Sequence, residues 1–242
     1  MSLAGARTLL KDRCLDERLE WWDADAQCRL VITQPNLDRE LWAQYGRGAV
    51  RSYRRHGVEC ALDRRALNSG DDTVMFFVAL DSADKVVAGV RAKGPLTCAE
   101  ESHALVEWQD QPGQDAVHKM ITDRIPYGVL EMKSAWVSDK TPRTSAVAAA
   151  VARSGVHMLA LLDVQFFMAT AAAYVLNRWR SSGGVIAPVP ATPYPDERYQ
   201  TKMMWWDRRT FIHRAQPQQA AKILTEARAI TTQPAGAIAV GR

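Results

Sequence analysis

Apolar and polar positions alternate along the chain in a way that predicts most of its elements. The run CRLVIT, Cys28 to Thr33, is almost wholly apolar or β-branched and predicts a short strand. Pro35-Asn36 breaks it, and Asn36 stands where an N-cap would. Leu37, Leu41, Tyr45 and Gly48 then recur at helical spacing, with Arg47, Arg51, Arg54 and Arg55 on the other side. After the turn-rich Asn68-Ser69-Gly70-Asp71-Asp72, the runs TVMFFVAL and KVVAGVRAK flank Asp81-Ser82-Ala83-Asp84, which reads as a β-hairpin with a four-residue loop. A long connection runs from Pro95 past Glu100-Glu101 to Pro112-Gly113. A short helix from Gln114 to Arg124 follows, and Pro126 ends it.

The stretch from Gly128 to Val185 is the organising one. It reads as a strand, GVLEMKSAWV; a loop, SDKTPRT; an alanine-rich helix starting at Pro142; a second strand, DVQFFMAT; and a helix ending in SSGG. Strict period-two alternation assigns Glu131, Lys133 and Ala135 to one face of the first strand, and Leu130, Met132, Ser134 and Trp136 to the other. A strand-helix-strand unit of this kind implies parallel pairing or a splayed mixed sheet. VIAPVP and RYQTKMMWWDRR predict two further strands joined by the proline-rich ATPYPDE, and a last helix spans about 216–228. Within Trp205-Trp206 one ring faces the core, and the other either does so too or walls a pocket. The polar residues 1–27, with adjacent Trp21 and Trp22, are expected to form a helical lead-in, 28–230 a single α/β (α+β) domain, and 231–242 a flexible tail.

Composition narrows the function classes. A chain of 242 residues, 47% of them hydrophobic, can bury a sizeable core. A net charge of +4 favours an acidic partner or ligand only mildly. The basic face from Arg47 to Arg55 is either a solvated surface or a dock for phosphate or an acidic carrier protein. It is not interleaved with stacking aromatics, which argues against a nucleic-acid module. Cys14, Cys28, Cys60 and Cys98 lie far apart, and His103, His118, His157 and His213 have no metal-ligand spacing, so no metal site is expected. Reduced thiols, the charged N-terminal residues and the lack of a run approaching 18 apolar residues suggest a soluble, cytoplasmic protein without a membrane span.

Two features carry chemistry. Lys140, Arg143 and the N–H groups of Thr144 and Ser145 lie where a loop enters a helix, and helix N-termini attract phosphate; the alternative is an ordinary polar loop. Glu131 sits in the middle of an apolar strand, which is costly without a partner or a task; it either ion-pairs with Arg91, Lys133 or Arg47 or takes part in a reaction.

The order of elements resembles the GNAT acyltransferase superfamily. The hairpin FFVALDSADKVVAGVRAKGPLT looks like that of the acyl-homoserine-lactone synthases and N-acyl amino acid synthases, with Arg91 at the position of their hairpin arginine. GVLEMKSAWV is similar to their central strand, in which Glu131 takes the place of the glutamate of an E-x-x-R signature and Ser134 that of the arginine. Ala146 and Ala148 stand where the superfamily's pyrophosphate loop has glycines, and Arg51 where the synthases' first helix has phenylalanine. The resemblance implies a splayed central sheet and transfer of an acyl group, fatty acyl in the nearest branch, to the amine of an amino acid or similar small molecule. The donor would be acyl-CoA or the acyl-phosphopantetheine of acyl carrier protein. Under it Glu131 is the base, Tyr174 a candidate acid, Trp136 and Val137 supply carbonyl-polarising N–H groups, Lys140, Arg143, Thr144 and Ser145 hold the donor, and Arg47, Arg91 and Lys133 face the substrate. An acetyl-CoA-dependent N-acetyltransferase and a catalytically silent ligand-binding protein of this fold remain open.

Overall fold

The computed structural model describes residues 13–232 and 239–240. Eleven strands are present among them: β1 (Arg13–Cys14), β2 (Leu19–Asp23), β3 (Cys28–Thr33), β4 (Thr73–Leu80), β5 (Val86–Lys93), β6 (Val129–Val137), β7 (Phe166–Ala172), β8 (Val185–Ile186), β9 (Thr192–Pro193), β10 (Gln200–Asp207) and β11 (Ala239–Val240). The helices are α1 (Arg39–Arg55), α2 (Arg64–Ser69), α3 (Ala104–Glu107), α4 (Gln114–Thr122), α5 (Thr144–Leu162), α6 (Leu176–Arg180) and α7 (Pro217–Thr231). The main sheet runs β2-β3-β4-β5-β6-β7-β10-β8, with β9 beside β10.

Every pairing in it is antiparallel except β6 with β7, which α5 connects as the strand-helix-strand pattern requires. That parallel ladder covers only Val129–Met132 against Phe166–Ala169, although both strands continue. Beyond it they diverge, as the resemblance implied.

Several boundaries differ from expectation. The cap of α1 is Asp38, whose carboxylate accepts from Leu41 N–H at 2.9 Å, two residues past Asn36. α5 begins at Thr144, one residue after Arg143, and not at Pro142. The expected helical lead-in is instead partly an edge strand: Leu19–Asp23 pairs with β3, and residues 1–12 lie outside the described residues. Of the expected tail, Ala239–Val240 pairs with Arg13–Cys14; residues 233–238 and 241–242 lie outside the described residues. Only Val185–Ile186 of VIAPVP is strand.

One sheet face is covered by α5 and α7 over a continuous apolar cluster that includes Leu130, Met132, Val151, Phe167, Trp206 and Ile223. α5 is long and apolar enough to cross a membrane, contrary to the expectation that no segment would be, yet most of it is buried in this fold. The other face carries two separate clusters. One lies under α1 and α2 (Leu41, Trp42, Tyr45, Phe76, Trp136), the other under α3 and α4 (Trp108, Val117, Val129, Met168, Trp205). Trp205 and Trp206 are thus both core, on opposite faces.

The alternation of β6 is interrupted. Ser134 has φ +53°, and the β5–β6 register skips between Gly89 and Arg91, which marks a bulge. An extra residue reverses every side chain beyond it. Trp136 therefore joins the face of Glu131 and Lys133 and packs under α1, while Ala135 goes to the α5 face, the reverse of strict alternation. Tyr45 O–H donates to the carbonyl of Ser134 at 3.0 Å and ties α1 to the bulge. Gly48 completes the fit, since a Cβ there would run into the Trp136 ring.

α5 is held from the chain's two ends. The buried Arg153 donates to Glu226 of α7 at 2.8 and 2.6 Å, to Gln219 at 3.3 Å, and to Asp23 of β2. His157 meets Glu226 at 2.9 Å and Lys222 meets Asp23 at 2.7 Å. Removing one partner of such a group strands the rest in low dielectric. Arg153→Ala is therefore expected to cost ~3–5 kcal/mol by urea denaturation. Glu226, although burial pushes the other way, is held down to about 2 by His157 and Arg153. Its contribution is present above the unfolded value of ~4.3 and lost as pH falls through about 2, so acid unfolding of the wild type should steepen in that window and Glu226→Gln should remove the effect. Gly48→Ala is expected to lose ~1–3 kcal/mol by overpacking against Trp136.

Candidate active site

Between the two clusters of the split face the sheet is polar. Cross-strand neighbours share a side of the sheet, and the β5–β6 register sets Lys93 opposite Glu131 and Arg91 opposite Lys133. Glu131 is fully buried and accepts from His103 N–H at 3.0 Å through Oε2. Lys133 Nζ lies 4.0 Å from Glu131 Oε1 and 3.3 Å from Glu107 Oε1. Thr170, just past the last β7 residue paired with β6, donates to the same Glu107 oxygen at 2.8 Å. Lys133 thus stands between two buried carboxylates where the strands part. Among the described residues, Glu107 Oε2 and Glu131 Oε1 are buried without a hydrogen bond.

The surroundings set the protonation states. Burial pushes the Glu107 carboxyl above its ordinary range, helped by the charge of Glu131 and opposed by Lys133 and Thr170. Burial, then Lys133 and Lys93, push His103 down to about 3, so its ring is neutral; its Nε2 lies 2.7 Å from the Tyr194 hydroxyl. Burial and Glu107 raise Tyr194 to about 12, which keeps its proton on. The half-buried Tyr53 of α1 is raised by burial and by the same carboxylate.

The segment between β8 and β10 lies over this polar strip between the two cores, hereafter the chamber. Thr192 donates to the Glu107 carbonyl at 2.9 Å, and Trp108 to the Pro190 carbonyl at 3.1 Å. At its outer end Tyr199 and Arg198 donate to the carbonyls of His56 and Gly57, at 3.0 and 3.1 Å, beyond the C-terminus of α1.

The expected residues distribute unevenly. Glu131, Lys133 and Arg91 share the chamber face, but Arg91 is committed to Asp72 and to Thr73 Oγ1, the latter at 3.0 Å. Arg47 is elsewhere: with Arg39, Arg51 and Arg64 it lines a cleft of about 1090 Å³ along α1. Ser138 N–H donates to Val87 O at 2.7 Å, so by antiparallel alternation Trp136 N–H points to β5 and Val137 N–H into the gap between β6 and β7. Of the two expected carbonyl-polarising donors, only Val137 has that direction.

Lys140 and Arg143 are exposed, and Arg143 donates to the Asp25 carbonyl at 3.4 Å. The first turn of α5 has no side-chain cap. Ser145 opens onto a cleft of about 470 Å³ that Asn177, Arg178 and Lys222 also line, whereas the Thr144 hydroxyl is spent on the Thr141 carbonyl at 2.8 Å. Tyr174 lies in a 3-10 turn after β7, not in the following helix; it is 74% exposed, with its ring 6.4 Å from Tyr199.

Sequence reasoning missed Glu107. Its helix is four residues long, too short for periodicity, within a segment read as a connection. The available signal was the one that singled out Glu131: a lone charge inside an apolar run, here ALVEW. Among the described residues no three His, Cys, Asp or Glu side chains are grouped to hold a metal ion.

No family profile matches the sequence. Solved structures share the architecture at low identity. A CoA-dependent acyl-homoserine lactone synthase, BjaI, solved with SAM and isopentyl-CoA, superimposes with TM-score 0.52 at 14% identity, covering 87% of this chain and 89% of that one. FeeM, an N-acyl amino acid synthase from uncultured soil microbes, gives 0.51 at 10%, covering 78% and 96%. An arylalkylamine N-acetyltransferase of the yellow fever mosquito gives 0.53 at 11%, covering 81% and 95%. By sequence, uncharacterized proteins of Mycobacterium tuberculosis H37Rv (Rv1356c) and Mycobacterium bovis (Mb1391c) are each 55% identical over 213 residues, 88% of this chain and 81% of theirs. The chain belongs to the family of these mycobacterial proteins, and its fold is that of the GNAT acyltransferases.

Proposed function

We propose that the protein is an N-acyltransferase that moves an acyl group from a thioester to the amine of a small molecule. The observation that carries this reading is the pair of buried carboxylates, Glu107 and Glu131, beside the gap where β6 and β7 separate. A thioester carbonyl in that gap would meet the Val137 N–H, a donor suited to the developing oxyanion. An amine in the chamber would lose a proton to Glu107 or Glu131. Its nitrogen attacks the carbonyl carbon, the C–N bond forms, the C–S bond breaks, and the thiolate leaves and takes up a proton. Tyr174, at the end of β7, is the proposed proton source for the thiolate, and Lys133 fixes both carboxylates.

For the donor we favour a CoA or phosphopantetheine thioester. The uncapped first turn of α5 and the adjoining cleft with Ser145, Arg178 and Lys222 suit phosphate, with Lys140 and Arg143 at its approach. BjaI was solved with isopentyl-CoA, which makes branched and medium-chain acyl-CoA the first donors to test. The alternative donor, acyl carrier protein, is acidic; the Arg39, Arg47 and Arg51 face is where it would dock.

Release of free thiol from acyl-CoA of several chain lengths, with pooled amines and amino acids, is the test. Thiol release dependent on amine supports the reading; tight thioester binding without release under any pairing would overturn it in favour of a silent binder. Glu107→Gln and Glu131→Gln are each expected to slow release by about 10²–10⁴-fold, the usual worth of a general base. Because the Glu107 carboxyl sits above the ordinary range, activity should rise with pH through that raised value; Glu107→Gln should abolish that limb, while Glu131→Gln should keep it and move it to lower pH.

A further inference from the structure

The chamber's unsatisfied chemistry describes its acceptor more narrowly than "amine". Lys133, Glu107 and Glu131 meet there, with Arg91, Lys93 and Asp72 beside them on the same face. Arg91 and Lys93 lie against Asp72, and both also act on Asp63, the cap of α2. Lys133 lies against both Glu107 and Glu131. His103 adds no charge, since it is neutral well below physiological pH. With both ionised, Glu107 and Glu131 share the single charge of Lys133 and are one positive charge short. The shortage falls at Glu107 and Glu131, where each carboxylate keeps one buried oxygen without a donor. A buried acceptor of this kind costs free energy until something donates to it.

Resting on the N-acyltransferase reading above, we infer that the acceptor is a primary amine that carries no carboxylate near the reacting nitrogen, an alkylamine, arylalkylamine or polyamine, and not an α-amino acid. The group that fits is rich in donors, positively charged and poor in acceptors. A primary ammonium brings three N–H donors and one positive charge, enough to serve Glu107 Oε2 and Glu131 Oε1 together. An α-amino acid would bring its own carboxylate within two bonds of that nitrogen. Arg91, Lys93 and Lys133 each already lie against a carboxylate, so the added charge would face Glu107 and Glu131 uncompensated. Tyr53 and Tyr194 are both near enough to Glu107 to feel its charge, and aromatic rings favour organic cations over anions.

Matched pairs that differ only by a carboxylate test this: tyramine against tyrosine, putrescine against ornithine, cadaverine against lysine. Calorimetric titration of the protein without donor is expected to show at least one amine binding more than about tenfold tighter than its amino acid, since like-charge contact is costly where solvent is excluded. The Glu107→Gln/Glu131→Gln double variant should lose that preference. Equal or tighter binding of the amino acids, binding of no amine, or a preference unchanged in a folded double variant would overturn the inference. The wild-type pairs decide the matter alone if the variant does not fold. Thiol release, measured in parallel, judges the transferase reading separately: selective amine binding without release sustains the acceptor inference and sinks the transferase.

Discussion

Parallel strands share hydrogen bonds only while their backbones stay about 4.8 Å apart, and β6 and β7 do so from Val129 to Met132 before they part. Much of the site depends on that early separation. It leaves the last residues of β6 unpaired with β7, directs the Val137 N–H into the gap between the two strands, and brings Thr170 within reach of Glu107. The bulge at Ser134 begins two residues past the last paired position and turns Trp136 under α1, where Gly48 makes room. Had the strand kept its alternation, an indole would have gone to the α5 face and the chamber would have lost a wall. Binding in the crevice beyond the carboxyl ends of parallel strands is a general property of open α/β sheets.

The two faces of the sheet divide the work. Under α5 and α7 a single apolar cluster runs nearly the width of the sheet, with the Arg153 network at its rim. The opposite face buries less contiguous apolar surface, and its polar strip lies between two cores that hold α1 and α3 apart. Burying Glu107, Glu131 and Lys133 together is expensive, because each charge gives up its hydration and one lysine cannot satisfy two carboxylates. The continuous core supplies the stability against which that cost is tolerated.

The long runs were legible in the sequence: the hairpin, the strand from Gly128, the apolar helix and the parallel unit. Their periodicity reports burial directly. Glu131 was legible because an uninterrupted apolar strand makes a charge conspicuous. The bulge was not, since Ser134 is an ordinary residue and its positive φ is imposed by the register of β5 and the hydroxyl of Tyr45, both distant in sequence. Glu107 escaped because a single helical turn has no period, and its role comes from Lys133 and Thr170, which the fold delivers. Arg47 was grouped with Glu131 on its charge and on the resemblance; the helix turns it outward to a different cleft.

The Arg153 network bears on how the molecule comes into being. Asp23 and Lys222 are 199 residues apart in the chain, and both converge on the helix whose first turn faces the proposed donor cleft. Contacts between such distant segments close late, because loop closure costs entropy before any bond repays it. During synthesis the sheet's hairpins can form as they emerge, but α5 gains Gln219 and Glu226 only after α7 has left the ribosome. The proposed donor side is therefore assembled last, and a chain truncated before α7 would keep its central strands while leaving Asp23 and Arg153 in a half-built core.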